Sequence, residues 1–146
     1  MRFMILVRAT TESETGVPPS KELIAAMGRY NEELARAGVL LAAEGLQPSS
    51  KGARVKFSGG KRTVIDGPFA ETKELIAGYW LIDVKSREEA IEWVKRCPDP
   101  MGEGEEGEIE IRQVFELSDF PQDSLPPEEA AREQALREEL ARRNAG

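Results

Sequence analysis

The segment DGPFAETKE, residues 66–74, places several groups that could do chemistry in one short turn. Asp66 and Glu74 supply carboxylates, and Lys73 supplies an ammonium group. Carboxylates beside a cationic anchor suit acid–base chemistry on an organic acid or an enol. We therefore take Asp66, Lys73 and Glu74 as candidate ligand-binding residues, and Asp66 also as a candidate catalytic group.

Charged residues inside otherwise apolar strands give further candidates. Glu110 and Arg112 alternate with Ile109 and Ile111, so the two charges share one face of their strand. Charged side chains on an apolar face carry a large desolvation cost unless they are paired or exposed to water. Glu110 and Arg112 therefore form either an ion-pair network or part of a ligand pocket. Glu44, near the end of an apolar strand, is either a surface residue or a buried carboxylate fit for proton transfer.

The DGPF motif also has a purely structural interpretation. Asp66 could accept backbone hydrogen bonds in a turn, and Gly67 could take a positive φ angle. Pro68 would then fix the corner, and Phe69 would fill the core. The charged residues 71–74 would form a solvated helical turn. The residue types leave both interpretations open.

The composition excludes several function classes. The chain has 146 residues, a net charge of −7, one cysteine and no histidine. Ser–His and Cys–His catalysis are excluded, and the commonest transition-metal ligand is missing, so we expect no metal site and no cofactor. The lone Cys97 fits a reducing, cytoplasmic location and a small core residue. The acidic loop 102–108 lacks calcium-loop spacing. The negative charge, without a basic stripe, predicts neither a nucleic-acid nor a membrane partner.

The hydrophobic pattern predicts the elements that must position these groups. Ser20 and Gly38 are placed to begin and end one helix, and Ser86 with Glu89 forms a capping box for another. Glycines between two short strands indicate a hairpin. The predicted strands are 2–9, 39–46, 53–57, 61–65, 78–84 and 108–116, and the predicted main helices are 18–38 and 86–98.

This order predicts an α+β fold, a ferredoxin-like βαββαβ antiparallel sheet with a hairpin insert and both helices on one face. The first strand is apolar on two sides, with Phe3, Ile5 and Val7 on one and Met4 and Leu6 on the other. Two helices can cover only one side of the sheet. The other side is expected to meet a second copy, which predicts a homodimer of the dimeric α+β barrel type.

The C-terminal residues 121–146 differ in character from the predicted domain, residues 1–120. Prolines mark a linker and the start of an extra helix beginning near Pro127. Acidic residues fill its first turn, and Arg142 and Arg143 lie in its last, as the helix dipole favours.

With this order established, several motifs resemble the DGPF-domain, YCII-related family over roughly residues 1–117. They are DGPFAETKE, EGL at 44–46, GYWLIDV at 78–84 and the closing EIEIR. The resemblance implies a ferredoxin-like fold and dimerisation. Some members occur beside or fused to extracytoplasmic-function sigma factors, which implies a regulatory protein partner as one option. YCII-type relatives have been proposed as enzymes with a paired His and Asp. This chain has Asp66 but no histidine, so that dyad cannot operate here.

Two functions from different classes remain open at this point. The first is a homodimer that binds a small polar or acidic metabolite in a cleft at the sheet end, with or without acid–base catalysis by carboxylates. That cleft would be lined by Glu44, Asp66, Lys73, Glu74 and Arg112. The alternative is a non-enzymatic regulatory or protein-interaction module that uses the acidic surface and the terminal helix. The residues do not decide whether the chain is an enzyme.

Overall fold

The computed structural model describes residues 1–101 and 106–145. The chain divides into two compact units, Met1–Gln113 and Val114–Gly146. Most of the predicted acidic loop, residues 102–105, lies outside the described residues.

The first unit is an α+β fold built on a four-stranded antiparallel sheet in the order β2-β5-β1-β6. This order, with two main helices between its strands, confirms the predicted ferredoxin-like α+β fold. A separate two-stranded sheet forms the hairpin insert. The elements are β1 (Arg2–Arg8), α1 (Thr11–Glu14), α2 (Lys21–Arg36), β2 (Leu40–Gly45), β3 (Ala53–Ser58), β4 (Lys61–Asp66), β5 (Ile76–Asp83), α3 (Arg87–Lys95) and β6 (Ile109–Gln113).

The ends of both main helices follow their predicted caps. The Ser20 hydroxyl accepts a hydrogen bond from the Leu23 N–H at 3.1 Å, and α2 is followed by Gly38 at a φ of +74°. The Ser86 hydroxyl accepts from the Glu89 N–H at 3.1 Å at the start of α3. The Glu89 carboxylate accepts from the Lys85 N–H at 2.9 Å rather than from Ser86, so only half of the predicted capping box forms.

The core lies between one face of the four-stranded sheet and the two helices. Phe3, Ile5 and Val7 of β1 are buried with Trp80 and Ile82 of β5. The helices contribute four buried side chains to the same cluster, namely Tyr30, Leu34, Ala90 and Trp93.

Tyr30 ties α2 to both α3 and the sheet. Its hydroxyl donates a hydrogen bond to the Trp93 carbonyl at 2.6 Å, and its ring meets Trp80 edge-on at 5.6 Å between centroids. Burial raises the pKa of Tyr30 above its ordinary value. The hydroxyl therefore stays protonated as a donor inside the core.

The opposite face of the sheet, here called the outer face, carries Met4 and Leu6 of β1 beside Leu81 and Tyr79 of β5. These four side chains are half-buried, whereas their immediate neighbours Phe3, Ile5, Trp80 and Ile82 are buried. The strict alternation along β1 confirms the predicted two-sided apolar strand.

The hairpin formed by β3 and β4 was predicted correctly, including its turn. Gly59 and Gly60 take φ angles of +57° and +78°, values that glycine reaches without a steric penalty. Every residue of both strands is exposed, whereas β1 and β5 of the larger sheet contain buried residues at alternate positions.

The second unit contains α4 (Pro127–Ala145). Its acidic first turn and its basic last turn, with Arg142 and Arg143, confirm the predicted match to the helix dipole. Arg143 pairs with Glu139 at 2.6 Å across one turn of the helix. Within residues 1–101 and 106–145, no helix combines the length and apolarity that a membrane crossing requires.

Candidate functional site

The DGPF motif forms a corner that is hydrogen-bonded to the segment preceding β3. The Gly67 N–H donates to the Gly52 carbonyl at 3.0 Å, which closes the base of the hairpin. The Phe69 N–H donates to the Ser49 hydroxyl at 3.0 Å. The motif thus joins the end of β4 to residues 49–52 and fixes where the hairpin leaves the sheet domain.

Gly67 is required for space rather than for its backbone angle. A Cβ added there would lie 1.8 Å from the Ser49 carbonyl oxygen, far inside van der Waals contact. The predicted positive φ is wrong, because Gly67 is not among the positive-φ glycines of the described residues. The peptide bond between Gly67 and Pro68 is cis.

Glu14 anchors this corner from α1, the short helix before α2. The Ser49 N–H donates to Glu14 Oε2 at 3.0 Å, and the Ser49 hydroxyl donates to the same carboxylate. Neither α1 nor this contact was predicted, because a four-residue helix shows no apolar period. The sequence signal for α1 was its capping pair, Thr10 and Ser13. Each of these side chains accepts a hydrogen bond from the backbone N–H of the other residue.

The aromatic residue of the motif lies outside the core. The Phe69 ring is covered by the Arg54 guanidinium, 3.8 Å from its centroid. Phe69 is half-buried and does not belong to the core cluster. The prediction that Phe69 fills the core is therefore wrong. The ring instead forms a cation–π contact with the first strand of the hairpin.

Asp66 is the last residue of β4 and is exposed, opposite Ala53 in the register. Its carboxylate accepts no hydrogen bond from any described residue, so the expected turn bonds are not formed. The physical reason is simple, since the residue two positions on is Pro68, which has no N–H. The Asp66 carboxylate is thus open to solvent beside the corner.

Lys73 and Glu74 lie in a short 3-10 turn just before β5, and both are exposed. Lys73 contributes its backbone carbonyl, which accepts a hydrogen bond from the Arg8 guanidinium. Neither the Lys73 ammonium nor the Glu74 carboxylate forms an ion pair within the described part of the chain. The two side chains are available, and neither lines the cavity described below.

Glu110 and Arg112 belong to an ion-pair network that includes Arg8. Arg8 Nη2 lies 2.7 Å from Glu110 Oε1, and Arg112 Nη1 lies 3.2 Å from Glu110 Oε2. Arg8 Nε also lies 3.4 Å from Glu108. Of the two alternatives for Glu110 and Arg112, the structure shows the network. Arg8 was not anticipated, although it ends the strand that pairs with β6.

A large cavity of the first unit lies elsewhere, between the N-terminal half of α2 and one end of the four-stranded sheet. Its volume is about 910 Å³. The buried residues Trp80 and Val7 line the cavity on the sheet side. On the opposite side it is lined by one face of α2, with Leu23, Ile24 and Met27. Of the sequence-predicted site residues, only Glu44 lines it; Asp66, Lys73, Glu74, Glu110 and Arg112 do not.

The polar groups of this cavity have a definite electrostatic character. Glu12 and Glu44 are the charged groups among the described lining residues, and no lysine or arginine joins them there. Glu44 is exposed, which corrects the alternative of a buried carboxylate. The cavity is therefore apolar in most of its lining and negative at its edge.

Asn31 is the polar side chain best placed to orient a ligand. Its Oδ1 accepts a hydrogen bond from Trp80 Nε1 at 2.6 Å. An indole nitrogen can only donate, so the amide orientation is fixed and Nδ2 points elsewhere. Within the described residues, Nδ2 has no hydrogen-bond partner. It is available as a donor beside the cavity.

Cys97 is not a reactive thiol. It is half-buried and packs against the core cluster, as the sequence predicted. Burial raises its pKa to about 12, so the sulfur stays protonated at neutral pH. Within residues 1–101 and 106–145, no three carboxylate or thiol side chains are grouped to hold a metal ion.

Comparison with known proteins places this architecture in a family. An uncharacterised protein of Rhizobium meliloti (strain 1021) is 39% identical over 75 residues, covering 51% of this chain and 57% of that protein. The chain thus spans little more than half the length of this curated relative. The family model of the YCII-related domain matches residues 1–118, well over half of the 146 residues. The chain belongs to the YCII-related family.

Proposed function

We propose that this protein is a homodimer that binds a small molecule with an apolar body in the cavity beside α2. The observation that carries the proposal is the cavity itself. Its volume of about 910 Å³ falls within the range of roughly 300–1,000 Å³ that is common for ligand pockets. A largely apolar lining with a few polar groups is also typical of such pockets.

The lining groups favour a neutral or cationic ligand. Glu12 and Glu44 are the charged residues of the described lining, so a carboxylate or phosphate would meet repulsion rather than an anchor. Asn31 Nδ2 would donate to a carbonyl or hydroxyl oxygen on the ligand. This chemistry differs from the acidic metabolite that the charged DGPF segment suggested. A proton transfer on the bound ligand would fall to Glu12 or Glu44.

The dimeric part of the proposal is supported by the outer face. Met4, Leu6 and Leu81 are adjacent on this face through the β1–β5 register, and Leu41 of β2 is exposed. Because Met4, Leu6 and Leu81 are already half-buried, covering these side chains in each subunit would contribute roughly 2–4 kcal/mol per subunit before the costs of association. A second copy, related by a two-fold axis, would present the same residues in return.

A ligand screen with a cavity-filling variant tests the binding proposal. The wild type would be screened by thermal shift against neutral, cationic and anionic metabolites of similar size. We expect stabilising compounds among the neutral and cationic classes. Gly28→Leu should abolish the shift, because a Cβ built on Gly28 meets no atom within 4 Å and the added side chain enters open cavity space.

Ala25→Leu is the matched control, because it adds apolar bulk on α2 at an exposed position outside the cavity lining. This variant should bind like the wild type. Stabilisation confined to carboxylates and phosphates, and lost in Lys73→Ala, would contradict the proposal and return the site to the DGPF segment. No response to any class would favour the regulatory or protein-interaction module.

A further inference from the structure

The β3–β4 hairpin exposes an apolar face that the first unit does not cover. The register places Val55 opposite Val64 and Phe57 opposite Arg62, so these side chains share one face. Val55, Phe57 and Val64 are 50%, 66% and 65% exposed. The Arg62 guanidinium lies 4.8 Å from the Phe57 ring centroid and leaves most of the ring open.

An isolated two-stranded sheet is only marginally stable in water. This hairpin is held at its base by the Gly67–Gly52 hydrogen bond and by the Arg54–Phe69 contact. Beyond that base, and among the residues that the structure describes, the two strands pair only with each other. Exposed apolar groups that are contiguous in this way mark an interaction surface.

The hairpin also carries a charge opposite to that of the rest of the chain. Residues 53–66 contain four basic residues, Arg54, Lys56, Lys61 and Arg62, and one acidic residue, Asp66. Because the whole chain has a net charge of −7, the residues outside this hairpin carry −10 (−7 minus +3). The net charge of the whole chain does not show this local basic cluster. The surface that receives the hairpin must therefore be acidic with an apolar centre.

A second copy of this chain meets that requirement. Its residues outside the hairpin carry the complementary negative charge, and a two-fold axis would form each hairpin–body contact twice. A nucleic acid or an anionic membrane would attract the hairpin but would be repelled by the rest of the chain. The charge distribution thus favours an acidic protein surface as the partner of the hairpin. A second copy of the chain is also the proposed cover of the outer face.

We infer that the β3–β4 hairpin is a dimerisation arm whose Val55, Phe57 and Val64 face packs on the partner subunit. The inference rests on the proposed homodimer and adds a second, separate contact to it. The DGPF corner then has a defined role, because it sets the direction in which the arm leaves its own subunit.

Site-specific photo-cross-linking tests the arm. Phe57 would be replaced by p-benzoylphenylalanine in the full chain, mixed with nitrogen-15-labelled wild type and illuminated. We expect a covalent dimer in which the probe peptide is attached to a labelled peptide. Thr63, which lies on the other face of the hairpin and is exposed, is the matched control position and should give little covalent dimer.

Light scattering on the same samples separates the arm from the homodimer. A dimer whose Phe57 probe reacts only within its own chain, or with nothing, would overturn the arm and leave the homodimer standing. A monomer throughout would overturn both. A cross-link that requires added RNA or anionic vesicles would also overturn the arm.

A double variant, Phe57→Ser with Val64→Ser, tests the same face without a probe. It should weaken dimerisation roughly tenfold or more, while the circular dichroism of the chain stays unchanged. An unaltered dimer would contradict the inference.

Discussion

The four-stranded sheet and the β3–β4 hairpin are built from the same kinds of residue but differ in what surrounds them. Phe3 of β1 is 2% exposed, under two helices, whereas Phe57 of β3 is 66% exposed. Val7 and Val64 form a similar pair, one buried and one exposed. Alternating apolar residues therefore predict a strand in both places but do not show which strand is covered.

This difference indicates which apolar surfaces are buried within a single chain and which are not. The helix-covered face of the sheet buries its apolar side chains within one chain. The hairpin and the outer face leave apolar side chains partly or largely open, and a second copy is the proposed cover for both. The consequence is that equal substitutions in the two regions should act on different equilibria, folding in one case and association in the other.

The largest expected effect is the loss of a core aromatic. Phe3→Ala should lower the free energy of unfolding by about 3–5 kcal/mol, because it leaves a cavity between the sheet and the helices. Phe57→Ala should change the unfolding of the dilute monomer by less than about 0.5 kcal/mol, since its ring is already in water. Urea denaturation at several protein concentrations measures both. Equal losses in the two variants would remove the distinction between the regions.

A smaller effect is expected at the corner that joins the two regions. Gly67→Ala should cost about 2 kcal/mol, because the new Cβ would collide with the Ser49 backbone and residues 49–52 must shift. Gly28→Ala is the control, since its added Cβ meets nothing within 4 Å, and it should stabilise the helix by up to about 1 kcal/mol. Thermal denaturation compares the two. A Gly67→Ala chain as stable as the wild type would show that the close approach is dispensable.

The smallest effect concerns alkaline pH and separates the core from the exposed hairpin. Burial raises the pKa of Cys97 from 9.0 to about 12, so the unfolded chain releases its proton first as pH rises. The contribution of the protonated Cys97 thiol to the free energy of unfolding is fully present below about pH 9 and is lost as the pH rises toward 12. Cys97→Ala should reduce the alkaline loss by about 1 kcal/mol near pH 10.5, after allowance for partial exposure.

Chemical denaturation at about pH 8 and about pH 10.5 measures this difference. Ser58→Ala on the exposed hairpin is the control and should keep the wild-type pH dependence. An identical alkaline loss in wild type and Cys97→Ala would mean that the thiol is not held in the core.

Much of the fold could be predicted because its signals are local. The caps at Ser20 and Ser86, the turn glycines of the hairpin and the two-sided pattern of β1 each depend on residues close in sequence. Family membership also follows from motifs that are contiguous in the chain.

The candidate site could be predicted only in part, because it depends on contacts between distant residues. The reason for Gly67 lies in Ser49, and the partner of Ser49 is Glu14 in a helix too short to show a period. The cavity needs a gap between α2 and the sheet end, which no spacing in the sequence encodes. Charge density drew attention to Lys73 and Glu74, whereas Asn31 gains its importance from Trp80, far along the chain.

A second copy of the chain should cover the outer face, and sedimentation equilibrium at micromolar concentration tests this most directly. The wild type is expected at twice the chain mass of 16.2 kDa, and Leu6→Asp, which places a charge on the outer face, is expected to shift the population to monomer. A wild type that sediments as a folded monomer of 16.2 kDa would contradict the proposed assembly.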